Sequence, residues 1–125
     1  MTTPQYYLPI MPYILVNDAK GFLSFTKKVF NADEKMLVPR EDGTIMHAEI
    51  AIGKAIIMFA QADEKTFKSF PCSMFLLIED VDKIYHLALE NGATSLQVPG
   101  DMDYGRSAGI MDAFGNMWWL TQPVK

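Results

Sequence analysis

A chain of 125 residues, half of them hydrophobic and about a fifth charged, fits one globular domain with a core of its own. Its net charge of −4, with no basic run longer than Lys27-Lys28, argues against nucleic acid and anionic membrane as partners. The single cysteine, Cys72, rules out an internal disulfide and a cysteine-based zinc cluster; with no leader-like start and no long apolar run, the expected location is cytoplasmic.

Residues 1–7 show no period and read as a loose lead-in. The apolar run Leu8 to Val16 predicts a strand, and Pro9 and Pro12 restrict its regular part to 12–16 because proline lacks the amide a ladder needs. Asn17 or Asp18 offers a helix N-cap. Phe22, Phe25 and Val29, flanked by Leu23 and Phe30, form a helical stripe, with Lys20, Lys27 and Lys28 left to water. A short strand over 34–39 ends at Pro39, and Asp42-Gly43 signals a hairpin turn. The strand over 44–52 alternates Ile45, His47 and Glu49 against Met46, Ala48 and Ile50, and Gly53-Lys54 turns it into the apolar strand 55–60. The polar segment 61–71, carrying Phe67 and Phe70, reads as a connector.

The second half follows the same plan. A strand over 73–79 leads to Asp80 or Asp82 as N-cap of a helix bearing Val81, Ile84, Tyr85, Ala88 and Leu89, which Asn91-Gly92 ends. A strand over 95–98 is expected to stop at Pro99-Gly100. The closing hairpin has strands over 107–112 and 116–122 around Ala113-Phe114-Gly115-Asn116. Trp119 shares a face with Met117 and Thr121, and Trp118 shares the other with Leu120, so one face can cover a helix while the other lines a cavity or a partner. A shift of 62 positions superposes Asp18 on Asp80, Gly43 on Gly105, Gly53 on Gly115 and Tyr13–Val16 on Phe75–Ile78. The chain is therefore read as α+β, with two βαβββ modules: module one about 8–61, a connector about 62–71, and module two about 72–123, together one domain.

A pair of βαβββ modules resembles the vicinal oxygen chelate superfamily of glyoxalase I, fosfomycin-resistance proteins, extradiol dioxygenases and bleomycin-binding proteins. The closing segment Tyr104-Gly-Arg, Asp112-Ala-Phe-Gly-Asn, Trp118 and Leu120 looks like that family's terminal hairpin. Pro12-Tyr13-Ile14 and Met46-His47-Ala48-Glu49 look like its PhnB-like branch. The resemblance implies a curled mixed sheet in each module, ligands bound inside, and homodimers with paired modules. It also implies a divalent metal held by His and Glu from the first and last strands. The matching positions here are Met11, Ile57, Ser73 and Trp119, none a good ligand for a hard or borderline ion, so no cofactor is expected.

Trp119 in a carboxylate position suggests an apolar wall that can stack on a ring. The expected ligand-binding residues are Trp119, Met117, Phe59, Ile57 and Phe75, with Tyr13 at the rim and Arg106 supplying polarity. His47 and Glu49 project on one strand face and could be two ligands, an acid with its orienting partner, or a structural hydrogen-bonded pair. Arg106 could clamp a carboxylate or phosphonate, or pair with Asp101 or Asp103; Asp112 is read as fixing the turn. Neither a Ser-His-Asp pattern nor a Gly-rich phosphate loop occurs. These readings point to a small-molecule-binding protein with an apolar, metal-free pocket. The alternatives are a metal-dependent lyase, isomerase or group transferase, and a drug-sequestering resistance protein.

Overall fold

The computed structural model describes residues 2–124, which divide into two compact units, the first ending at Phe70 and the second beginning at Pro71. The first unit runs β1 (Tyr13–Val16), α1 (Ala19–Phe30), β2 (Asp33–Pro39), β3 (Ile45–Ile52) and β4 (Ala55–Gln61). The second runs β5 (Ser73–Leu77), α2 (Val81–Glu90), β6 (Thr94–Met102), β7 (Gly105–Met111) and β8 (Met117–Pro123). Each forms a four-stranded mixed sheet, in the orders β1-β4-β3-β2 and β5-β8-β7-β6, with the first strand parallel to the last and the rest antiparallel. This is the βαβββ repeat expected from the sequence.

Local chemistry explains the boundaries. Asp18 Oδ1 accepts from the Gly21 amide at 2.9 Å and starts α1, and Asn31, left-handed at φ 54°, ends it. Asp80 caps α2 in the same way through the Lys83 amide. A second device is shared: Gln61 Oε1 accepts from Ala19 N at 2.9 Å, and Gln122 Oε1 accepts from Val81 N at 3.3 Å. The last strand of each sheet thus ties down the first amide of its helix. The prolines at 99 and 39 are accommodated because β6 and β2 are edge strands with register shifts; β6 continues to Met102 rather than stopping at Pro99.

One face of each sheet packs on its helix. In the first unit Phe22 meets Phe59 edge-on with ring centroids 4.9 Å apart, among buried Ile14, Val16, Ala48, Ile50 and Ile57. In the second, Val81, Tyr85 and Ala88 are buried with Ala108, Ile110, Trp118 and Leu120.

Strand pairing refines the repeat. Tyr13 pairs with Met58, and its counterpart Phe75 pairs with Trp119. Trp119 therefore corresponds to Met58, one residue from the Ile57 that a constant shift of 62 selects. The cause lies in two places. By register Glu49 corresponds to Gly109, so the first module carries two extra residues ahead of β3. The second module's hairpin, one residue longer than the turn between the paired Ile52 and Ala55, gives one of them back. Because side chains alternate, one residue of slip exchanges the two faces. Ile57 and Phe59 accordingly face α1 and its core, and the opposite face of β4 carries Met58 and Ala60.

Candidate functional site

On the face of the first sheet turned away from α1, His47 and Glu49 stand two residues apart on β3, and Glu49 is 0 % exposed. Strand alternation puts both on one side, and the chain before β1 covers them. Tyr6 donates its hydroxyl to Glu49 Oε1 at 2.5 Å, Tyr7 donates to Oε2, and His47 Nε2 lies 2.7 Å from Oε2. Of the segment 1–7 expected as a loose lead-in, residue 1 lies outside the described residues, and Tyr6 and Tyr7 are more than that: they complete the hydrogen bonds of a buried carboxylate. Burial pushes the Glu49 carboxyl up, but the bonds from Tyr6, Tyr7 and His47 outweigh it and hold the group below its ordinary range. Glu49 is consequently an anion, and His47 carries its hydrogen on Nε2 toward it. His47 Nδ1 is then left to accept the Tyr13 hydroxyl, 2.9 Å away. Glu49, His47 and Tyr13 form a chain running from the buried carboxylate to a phenol that is 48 % exposed.

That phenol opens on a cleft of about 530 Å³ lined by Tyr13, Leu15, Arg40, Met46, Ala60, Gln61, Phe67 and Phe70. The connector builds one wall. Leu15 and Phe70 exchange both backbone hydrogen bonds, at 3.2 and 2.8 Å, and the Asp63 amide bonds the Phe67 carbonyl at 2.7 Å. Arg40 comes from the β2–β3 turn, where Gly43 supplies the positive φ of 89°. Its guanidinium donates to Thr44 Oγ1, the Ile45 carbonyl and the Gln61 carbonyl at 3.1–3.3 Å. Those acceptors are neutral, so they fix the cation without cancelling its charge. Burial and the Glu49 charge hold the Tyr13 phenol above its ordinary value against a smaller downward pull from Arg40, and both residues line the same cleft.

Of the expected ligand-binding residues, Tyr13 lines this cleft. Ile57 and Phe59 do not, for the register reason given above. Trp119, Met117 and Phe75 lie in the second unit, on adjacent strands β5 and β8, and Trp119 donates Nε1 to Ser73 Oγ at 2.9 Å. Arg106 is engaged by two carboxylates, Asp82 at 3.0 Å and Asp101 at 2.9 Å, so it fastens β7 to α2 and β6 instead of offering a free clamp. Asp112 is buried and accepts from the amides of Phe114 and Asn116, from Asn116 Nδ2 and from Trp118 Nε1, and so fixes the turn. Sequence reasoning missed Tyr6, Tyr7 and Arg40. The available signal was an adjacent aromatic pair near the start and a cation flanking the Asp-Gly turn.

A βαβββ pair with sheet order 1-4-3-2 in each half and a site on the face opposite the helix defines a class. The chain matches the model of the Glyoxalase/Bleomycin resistance protein/Dioxygenase superfamily over residues 8–120, and it belongs to that family. It is 30 % identical over 127 residues to an uncharacterized protein of Mycobacterium bovis, covering 93 % of this chain and 84 % of the relative. TioX from Micromonospora sp. ML1 shares the fold with a TM-score of 0.76 at 22 % identity, over 94 % of this chain and all of that one. A PhnB protein from Bacillus cereus does so with a TM-score of 0.72 at 16 % identity, over 92 % and 99 %.

The metal associated with this superfamily does not fit the donors here. By strand register the relevant positions hold Met11, Met58, Ser73 and Trp119, and Ser73 Oγ is already engaged by the indole. A thioether pair, a hydroxyl and an indole make a poor set for a hard or borderline divalent ion. Among the described residues no cluster of three or more His, Cys, Asp or Glu side chains forms. Nor does any described helix have the length and apolarity to cross a membrane.

Proposed function

We propose that the protein binds a small organic molecule with an apolar body and an anionic group in the first-unit cleft, without a metal. The observation that carries this reading is the pairing of apolar walls, from Leu15, Met46, Phe67 and Phe70, with the Arg40 cation fixed by neutral acceptors. Apolar walls that shed water when a ligand binds supply binding energy, and a positioned guanidinium supplies orientation. A metal-dependent lyase, isomerase or transferase would need His47 and Glu49 as ligands. Both Glu49 oxygens and His47 Nε2 are committed to one another and to the tyrosines, which argues against that version. Sequestering of a cationic drug is disfavoured by Arg40 in the cleft.

The proposed working form is a cytoplasmic homodimer. Exposed Phe75 and Leu77, 61 % and 63 % accessible on β5, leave apolar surface of the kind a second copy covers. Light scattering at micromolar concentration should give twice the chain mass, and a monomer would refute this part.

The binding reading is tested by thermal unfolding of chelator-treated protein with aryl and alkyl carboxylates on one side and divalent metals on the other. A ligand at a hundredfold excess over its dissociation constant adds about 2.7 kcal/mol of stability. Carboxylates should raise the midpoint and metals should not; the opposite pattern would overturn the proposal.

A further inference from the structure

Building on that binding reading, we propose that Tyr13, His47 and Glu49 form a proton relay that makes the cleft an acid–base catalytic site. Its substrates would be carbonyl compounds with an acidic α-hydrogen and an anionic group, the 2-oxo acid class. A hydrogen-bonded trio on a strand surface is commonly structural, but two features argue for more. The trio is graded from a fully buried anion to a half-exposed phenol, and the exposed end opens into a cleft beside a fixed cation. Such a sequence of acceptor, imidazole and hydroxyl is the arrangement that lets a side-chain oxygen take a proton while passing its own inward.

The step balances without a co-reactant. The α C–H bond of the substrate breaks and its proton goes to Tyr13 Oη, as the original hydroxyl proton moves to His47 Nδ1. The electron pair left on carbon shifts onto the carbonyl oxygen, giving an enolate near Arg40. The imidazolium is held 2.7 Å from the Glu49 carboxylate, which Tyr6 and Tyr7 keep ionised. Running the relay backwards returns a proton to the oxygen or to another carbon. The result is keto–enol tautomerisation or a double-bond shift, with no net oxidation and no water consumed. Tyr13 is the catalytic residue; His47 and Glu49 position it and store the charge.

The test uses phenylpyruvate, which carries a carboxylate, an aromatic body and an exchangeable methylene. Proton NMR in deuterium oxide follows loss of the methylene signal, and calorimetry on the same samples measures binding. Wild type should bind phenylpyruvate and exchange its methylene faster than buffer alone. Tyr13→Phe should bind within about threefold of wild type yet exchange about 10²-fold more slowly. His47→Gln should lose exchange similarly and carries the test if Tyr13→Phe fails to fold. Glu49→Gln should change the pH dependence of exchange as well as its rate, which a purely structural role would not do. Binding with no exchange above buffer, or with Tyr13→Phe as fast as wild type, would overturn the relay and leave the binding reading standing. Failure to bind either phenylpyruvate or its methyl ester would overturn both.

Discussion

The ring of Trp119 lies across Gly109 so closely that a Cβ built on the glycine would stand 2.6 Å from Trp119 Cζ3. The two residues are directly paired on β7 and β8, and Nε1 is anchored on Ser73 Oγ, so the indole cannot move aside without breaking a hydrogen bond. Gly109→Ala is therefore expected to lower unfolding free energy by about 1–3 kcal/mol, as overpacking does. Urea unfolding measures the loss, and in a Trp119→Ala background most of the penalty should vanish. Equal penalties in both backgrounds would show that the ring is not the obstacle.

Acid stability should report on the tyrosines over Glu49. A carboxyl held below its ordinary pKa in the fold stabilises the native state above its unfolded value, and that contribution is lost as pH falls through the folded value. Tyr6→Phe removes one of the donors responsible and narrows the gap. Wild type and variant should differ at neutral pH and converge in acid once Glu49 is protonated in both. Urea midpoints taken from neutral pH down to about 3 would test this, and a constant difference would refute it.

The alkaline side carries the opposite sign. The hydrogen bond to Glu49, with burial and the carboxylate's charge adding, pushes the Tyr6 phenol up to about 12. Its contribution is present below the unfolded tyrosine value and fades as pH rises toward the folded one. Ultraviolet absorbance titration should reveal a late-ionising phenol in wild type that returns toward the ordinary tyrosine range in Glu49→Gln.

Asp112→Ala should be among the most damaging single changes in the second unit. It strands four donors, from Phe114, Asn116 and Trp118, in a buried turn. A loss of about 3 kcal/mol is expected, because each unsatisfied buried donor costs roughly 1–3 kcal/mol and relaxation recovers part of the sum. Chemical denaturation gives the value.

Arg40→Gln should weaken binding of a carboxylate ligand about tenfold, the magnitude of one charge-assisted hydrogen bond, and leave a neutral ester unaffected. Parallel calorimetric titrations of acid and ester separate the two. Equal weakening would mean that the change had disturbed the cleft wall instead of its charge.

How far the sequence revealed this molecule follows from which signals are local. Asp18 and Asp80 announce their helices because an N-cap acts within three residues, and the stripe of Phe22, Phe25 and Val29 is a property of one helix. The shared face of His47 and Glu49 is equally local, and the structure brings them into contact. The sidedness of β4 is not local. It depends on two extra residues ahead of β3 in the first module, only one of which the longer hairpin of the second module offsets, which is why Ile57 and Phe59 read as pocket residues when they are core. Arg40 and the tyrosine pair escape for a related reason: a segment without periodicity gives no hint of where the chain will lay it.

Tyr6 and Tyr7 reach Glu49 across 43 and 42 residues of sequence. Closing so wide a loop carries an entropic cost that nearby hairpin contacts do not. Until it closes, the carboxylate on β3 must keep its solvent shell, and the relay lacks the dry anion at its root. On the ribosome the two phenols are made ahead of β3 and wait, without their partner, until that strand has followed.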